Sequence, residues 1–223
     1  MTEEEWLDCT DPGLMLEFLR GKGSARKLRL FGLACCRRMW HLLPNEHWKE
    51  LVESGEEFAN GAVSREALNR AWWRVPVPSP GPSADFLTVA ADTIGCVDFT
   101  PEKAQIVAFA AAKAIARATD DSINVEAYRC RPRDIERGVQ SHLLRDLFGN
   151  PFRRVSLDPA WITPTTLSAV RVINDERRFE DLPILADALE DAGCTDADIL
   201  SHCRGPGPHV RGCWVVDLLL GKQ

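Results

Sequence analysis

Ser24-Ala-Arg-Lys-Leu-Arg-Leu-Phe-Gly-Leu-Ala-Cys-Cys-Arg-Arg-Met-Trp-His-Leu-Leu43 is the stretch on which the fold turns. A serine at its start can accept a hydrogen bond from the first-turn amides, and Pro44 stops any helix that reaches it. Between them Leu28, Phe31, Leu33, Ala34, Cys35, Met39, Leu42 and Leu43 cover more than half of a helical circumference. A helix apolar over so wide an arc is surrounded by other elements. The spacing therefore predicts a central, largely buried helix from Ser24 to about Leu43.

Reading outward from it, helix punctuation dominates. Thr2 with Glu5 makes a capping box. Asp11-Pro12 is an N-cap followed by proline at the first helical position, and Gly21 sits where a C-terminal glycine belongs. Asn45 caps a helix carrying Trp48, Leu51, Val52 and Ala59 and closed by Gly61, and Ser64 opens another carrying Trp72-Trp73. Further helices are expected over 101–119, Pro132 to Phe148, Thr163-Pro164 to about Asn174, and 181–192. Gly149-Asn150-Pro151 stops the second of these, and residues 151–162 read as an irregular connection with a turn at Asp158-Pro159. Thr195 with Asp198 reads as the capping box of a short last-but-one helix ending near Cys203. Strand signals are almost absent, and the Val170–Ile173 run lies inside helical periodicity. The expected fold is all-α, an irregular multi-helix assembly. It is read as one domain over 1–223. Pro76, Pro78, Pro80 and Pro82 make 75–83 an extended, exposed crossover. The alternative is a split into 1–74 and 84–223.

Composition narrows the class. The chain has 223 residues, 45% hydrophobic and 27% charged, enough for a core without staples. Its net charge of −6 argues against a protein that coats nucleic acid. The charge is uneven, however. Arg20, Lys22, Arg26, Lys27, Arg29, Arg37 and Arg38 meet no acidic residue between 20 and 38, whereas 175–198 is strongly acidic. Two helical surfaces facing each other or water is the plain explanation. A nucleic-acid partner on the basic 20–38 surface is the sharper one, without the aromatic–glycine interleaving of RNA binders. The opening Met-Thr-Glu-Glu-Glu-Trp has no secretory signal, and no apolar run nears the ~18 residues that cross a bilayer. Eight sparse cysteines, two of them adjacent at Cys35-Cys36, read as reduced thiols. A cytoplasmic protein without membrane partners is expected.

The richest chemistry lies near the end of the chain. From Cys194 to Trp214, three cysteines and two histidines gather around Arg204-Gly-Pro-Gly-Pro208. Cys194 and Cys203 bracket a helix roughly 12 Å long, too far apart for one ion. The workable zinc set is His202, Cys203, His209 and Cys213, with His209 and Cys213 sharing a face if the last helix begins at Pro208. The spacing matches no standard finger or ribbon. A nucleophile reading takes Cys203 as thiolate, His209 as base and Asp217 as orienter. An anion-binding reading takes Arg204, His209 and Arg211. The bland reading is a helix ended by a left-handed Gly205, with Trp214-Val215-Val216 and Leu218-Leu219 returning to the core. Vicinal Cys35-Cys36 invites a thiol-sensor reading, with packing as the default. No Walker loop, dinucleotide fingerprint, nucleophile elbow or HExxH occurs.

Three strings carry a resemblance. Arg26-Lys-Leu-Arg-Leu-Phe-Gly-Leu-Ala-Cys-Cys-Arg-Arg-Met-Trp40, Leu143-Leu-Arg-Asp-Leu-Phe-Gly-Asn-Pro-Phe-Arg153 and Leu182 through Lys222 resemble an uncharacterised multi-copy bacterial protein family. The likeness covers both ends of the chain and fades between about 60 and 130. The family has no established activity, ligand or catalytic residue, so the resemblance implies none. Leu182-Pro-Ile-Leu-Ala-Asp-Ala-Leu-Glu-Asp-Ala-Gly193 also resembles a helical module that accompanies leucine-rich repeats, which favours a binding role. The expected function is a non-catalytic protein-interaction or regulatory module with a protein partner and no cofactor. The alternatives are a zinc-stabilised accessory domain using the C-terminal cluster, and a thiol enzyme centred on Cys203 and His209.

Overall fold

Capping chemistry and apolar stripes account for most of the helices in the computed structural model, which describes residues 1–76, 84–95, 99–118 and 126–222. Among these residues there are α-helices and 3₁₀ turns and no strand, so the all-α class holds. The chain divides into two compact units, 1–144 and 145–223.

In the first unit, α1 (Glu3–Asp8) opens with the Thr2–Glu5 capping box, and α2 (Pro12–Phe18) opens on Asp11, whose carboxylate accepts from the Gly13 amide. The central helix, α3 (Ala25–Arg38), starts at the Ser24 cap and buries every residue from Leu28 to Cys36. It ends earlier than its apolar pattern suggests. Met39 leaves helical geometry, a 3₁₀ turn covers Trp40–Leu42, and Leu43 is extended, as a residue before proline prefers. Then follow α4 (Glu46–Ala59), α5 (Arg65–Arg74), α6 (Ala84–Gly95) and α7 (Pro101–Ala118). Helix α3 packs against α4, α6 and α7 at once. Its close neighbours approach through small residues: Ala104, Ala108, Ala111 and Ala112 of α7 are buried, and so is Gly55 of α4. A Cβ on Gly55 would lie 2.8 Å from Leu33 Cδ2 and 2.9 Å from Ile94 Cγ2. Gly55→Val is therefore expected to destabilise the first unit by about 1–3 kcal/mol through overpacking, measured by urea unfolding.

Helix α6 has no counterpart in the sequence reading. Leu87, Ala90, Ala91 and Ile94 are all buried at i, i+3, i+4 and i+7, the signal that would have revealed it. Helices α3, α4 and α5, before the proline-rich stretch, all touch α6 after it. The crossover expected at 75–83 lies, from residue 77 onward, outside the described residues.

Five of the seven basic residues between 20 and 38 have specific partners within the first unit. Arg29 is buried, donates to the Ile94 carbonyl at 2.9 Å and lies over the Phe58 and Phe99 rings. Arg37 forks onto Glu56 at 3.1 and 3.0 Å, and Arg38 onto Glu136 at 2.8 and 2.7 Å. Arg26 holds the Ala59 carbonyl and Asn60 at the end of α4, and Arg20 pairs with Glu17 and Glu102. Arg26, Arg29, Arg37 and Arg38 thus link one helix of the first unit to another. No helix among the described residues is long and apolar enough to cross a membrane.

Helix α8 (Glu126–Phe148) begins before Pro132, which lies inside it, and carries the unit boundary near its end. In the second unit, the connection over 151–162 contains a 3₁₀ turn at Pro159–Trp161. It leads to α9 (Pro164–Glu176), α10 (Leu182–Asp191), α11 (Ala197–Arg204) and α12 (Trp214–Leu219). Asp196, not Thr195, caps α11, accepting from the Asp198 and Ile199 amides at 3.0 Å. Gly205 after it is extended rather than left-handed, and the positive φ falls on Gly207 instead. The last helix starts at Trp214 rather than Pro208, so His209 stands on the loop between α11 and α12. The core gathers Val170, Leu185, Leu189, Ile199, Val216 and three cysteines, Cys194, Cys203 and Cys213.

Candidate metal centre

The second unit brings four donor side chains together that the sequence scatters over 68 positions of chain. Asp146 comes from the last turn of α8, His202 from α11, His209 from the loop and Cys213 from the N-cap position of α12. One ligand atom from each lies within 4.8 Å of every other. His209 Nδ1 is 2.7 Å and His202 Nε2 3.2 Å from Asp146 Oδ1, and His202 Nε2 is 3.1 Å from Cys213 Sγ. Asp146 and Cys213 are buried, and the two imidazoles are only slightly exposed.

Neighbouring groups hold each ligand in place. Asp146 Oδ2 accepts from the Val210 amide at 2.9 Å, which leaves Oδ1 facing the cluster. His209 Nε2 lies 3.3 Å from the Gly205 carbonyl, so that nitrogen donates outward and Nδ1 turns inward. The His202 ring packs between His209, at 4.9 Å, and Trp214, at 5.2 Å. Trp214 in turn lies where a Cβ on Gly149 would be, 3.1 Å from its Cγ, and Gly149 has the positive φ that favours glycine. The helix stop after α8 thus lets the tryptophan close over the site.

Electrostatics follow from this packing. Burial alone would raise the Asp146 pKa, but the hydrogen bonds and charges of His202 and His209 outweigh it and hold the carboxylate below its ordinary range. Burial works against a protonated His209, yet the hydrogen bond it donates to Asp146 and the charge of that carboxylate prevail and raise its pKa. Burial first, and then the Asp146 charge, push the Cys213 thiol well above its usual range. Without metal the cluster sets the Asp146 carboxylate against an imidazole, His209, biased towards its protonated form, beside a neutral thiol. The depressed Asp146 contributes stability that is present above its ordinary 3.8 and lost as pH falls through its folded value. The raised His209 contributes stability that is present below 6.5 and lost as pH rises through its folded value. Metal-free protein is therefore expected to be most stable between about pH 4 and 6.5. Urea titrations across pH, in the presence of a chelator, check this; a stability still rising above pH 7 would contradict it.

The donors are within reach of a common metal position. Four ligands around zinc at about 2.0 Å for nitrogen or oxygen and 2.3 Å for sulfur stand roughly 3.3–3.5 Å apart in a tetrahedron. To reach that, the closest donor pair, at 2.7 Å, opens by about half an ångström and the wider pairs, which lie within 4.8 Å, close. Two imidazoles, a carboxylate and a thiolate form a borderline donor set suited to zinc. The carbonyl behind His209 and the amide behind Asp146 are the outer-shell partners that metal ligands usually have.

Three of the four residues expected to form a zinc set, His202, His209 and Cys213, meet here. Cys203 is not among the converging donors: it is buried in the apolar core, and burial pushes its thiol up to about 12. Asp146 takes its place. Nothing in local spacing marked it, because it stands 56 positions before His202. The pairing of Cys203 with His209 expected of a thiol enzyme does not form, since His209 is bonded to Asp146 and Gly205. Cys213 and His202 do touch, but Asp146 faces the same imidazole nitrogen as the thiol, whereas a catalytic triad sets the acid on the other nitrogen. The residues considered for an anion are engaged separately. Arg204 pairs with Asp187 and Glu190, His209 with Asp146, and Arg211 donates to the Asp175 carbonyl. Cys35 and Cys36 are both fully buried; burial pushes the Cys36 thiol up to about 12, which is against a sensor role.

No family model, curated protein or solved structure matches this chain.

Proposed function

We propose that residues 145–223 form a zinc-stabilised, non-catalytic accessory module, and that the protein works by binding a partner rather than by chemistry of its own. The observation that carries this reading is the convergence of Asp146, His202, His209 and Cys213, each backed by a second contact. Four protein donors would close a tetrahedral sphere, as in structural sites; catalytic zinc keeps a position open for water. The ligands tie the end of α8, α11, the intervening loop and the start of α12, the kind of cross-link that stabilises a small unit. The buried, protonated thiols supply no ready nucleophile.

The test is metal content by mass spectrometry before and after chelation, with helicity and thermal unfolding followed in parallel. About one zinc per chain, whose removal lowers the melting temperature, is expected. Because binding must displace protons from Cys213 and His209, zinc affinity should also rise with pH, opposite to the metal-free stability above pH 6.5. Protein that takes up no zinc from a buffered solution at pH 8, with intact helicity, would overturn the proposal.

A further inference from the structure

A groove of about 480 Å³ runs along one side of α9, lined by Ile162, Thr163, Pro164, Leu167, Ser168, Arg171 and Val172. These positions fall on consecutive turns of a single helix face and its N-terminal approach, so the groove is straight and about two turns long. Its walls are mostly apolar, and Ile162 is 39% exposed at one end. The groove contains one charge, Arg171.

The second unit is rich in carboxylates, and several of its surface arginines pair with them: Arg153 with Asp198, Arg178 with Asp181, and Arg204 with Asp187 and Glu190. Arg171 makes no hydrogen bond or ion pair with any described residue. Asp175, four residues on in the same helix, accepts from Asn174 Nδ2 at 2.7 Å. An unpaired guanidinium beside an open apolar channel is what a partner presenting both an apolar ridge and a carboxylate would satisfy.

We infer that this groove docks a short amphipathic helix of a protein partner, with aliphatic or aromatic residues at i and i+3 or i+4 and an Asp or Glu one turn away that pairs with Arg171. A groove two turns long admits the apolar anchors of such a segment, and Arg171 fixes its direction. A basic or neutral segment would leave the arginine buried without a counter-charge, which costs affinity. A nucleic acid is not favoured: one cation among aliphatic walls is not a phosphate track. Helix α9 supplies none of the proposed metal ligands, so this inference stands or falls apart from the zinc proposal.

The test uses the full chain, loaded with zinc and, separately, treated with chelator. A displayed library of random twelve-residue peptides is selected against it, and the enriched peptides are measured by fluorescence anisotropy. The expected winners combine helical spacing of apolar residues with an acidic residue. Their affinity should fall at least tenfold with Arg171→Glu, and fall with the exposed-site variant Ser168→Glu. Reversing the peptide's acidic residue to lysine should restore binding to Arg171→Glu. Both variants are at exposed positions, and unchanged helicity would show that they fold. Enriched peptides without an acidic residue, or insensitive to both variants, would overturn the inference. So would self-association of the chain that Arg171→Glu abolishes, since the occupant would then be a second copy.

Discussion

Asp146→Ala is expected to loosen the second unit even without metal, by about 3–5 kcal/mol. The carboxylate is buried and accepts from two imidazoles and the Val210 amide, so its removal leaves three polar groups facing a void. Hydrogen exchange in α11 and α12 should accelerate sharply, while α3 and α4 stay protected. Asp146→Asn keeps the shape but not the charge that stabilises protonated His209, and should fall between wild type and alanine. In the zinc form the loss should be larger, because a ligand is removed as well, and metal affinity should drop by at least 10–100-fold. If Asp146→Ala unfolded at the same urea concentration as wild type in both forms, neither the buried network nor the metal centre described here would hold.

Glu136→Ala should have an effect of similar size in the first unit. Glu136 is almost fully buried and holds Arg38 in a forked pair, and Gln140, one turn on, adds a contact at 3.5 Å. Without the carboxylate, a partly buried guanidinium at the end of the central helix keeps its charge and loses its counter-charge. A cost of about 3–5 kcal/mol is expected, from the stranded partner rather than from the worth of the pair itself. The distinguishing measurement is the double variant Arg38→Leu/Glu136→Leu. It should recover a large part of the loss, whereas a purely steric role for Glu136 predicts that the two losses add.

The fold was largely legible because helix signals are local. Ser24, Asn45, Ser64 and Thr163 each cap the helix their sequence context announced, because capping involves only the next three residues. Where reading failed, a non-local contact decided. Helix α6, absent from the sequence reading, packs on α3 and α4 from beyond the proline-rich stretch. The candidate site was half legible for the same reason. His202, His209 and Cys213 lie within twelve residues of one another and drew attention as a cluster. Cys203 seemed the natural fourth donor by adjacency, yet neighbours on a helix diverge by about 100°, which sends it into the core. Asp146 belongs to another helix altogether, and only the folded chain brings it to the imidazoles.

Glu136 of one unit and Asp146 of the other belong to the same helix, α8. That continuity governs how the protein can be dissected. A fragment starting at residue 145 would leave Asp146 one step from a frayed chain end, with no turn before it to hold its carboxylate against His209. It would fail for want of scaffolding, whatever the worth of its own core. Separate expression of the C-terminal helices therefore has to begin upstream, inside the segment that topology assigns to the neighbour, and the two halves overlap in what each needs to fold.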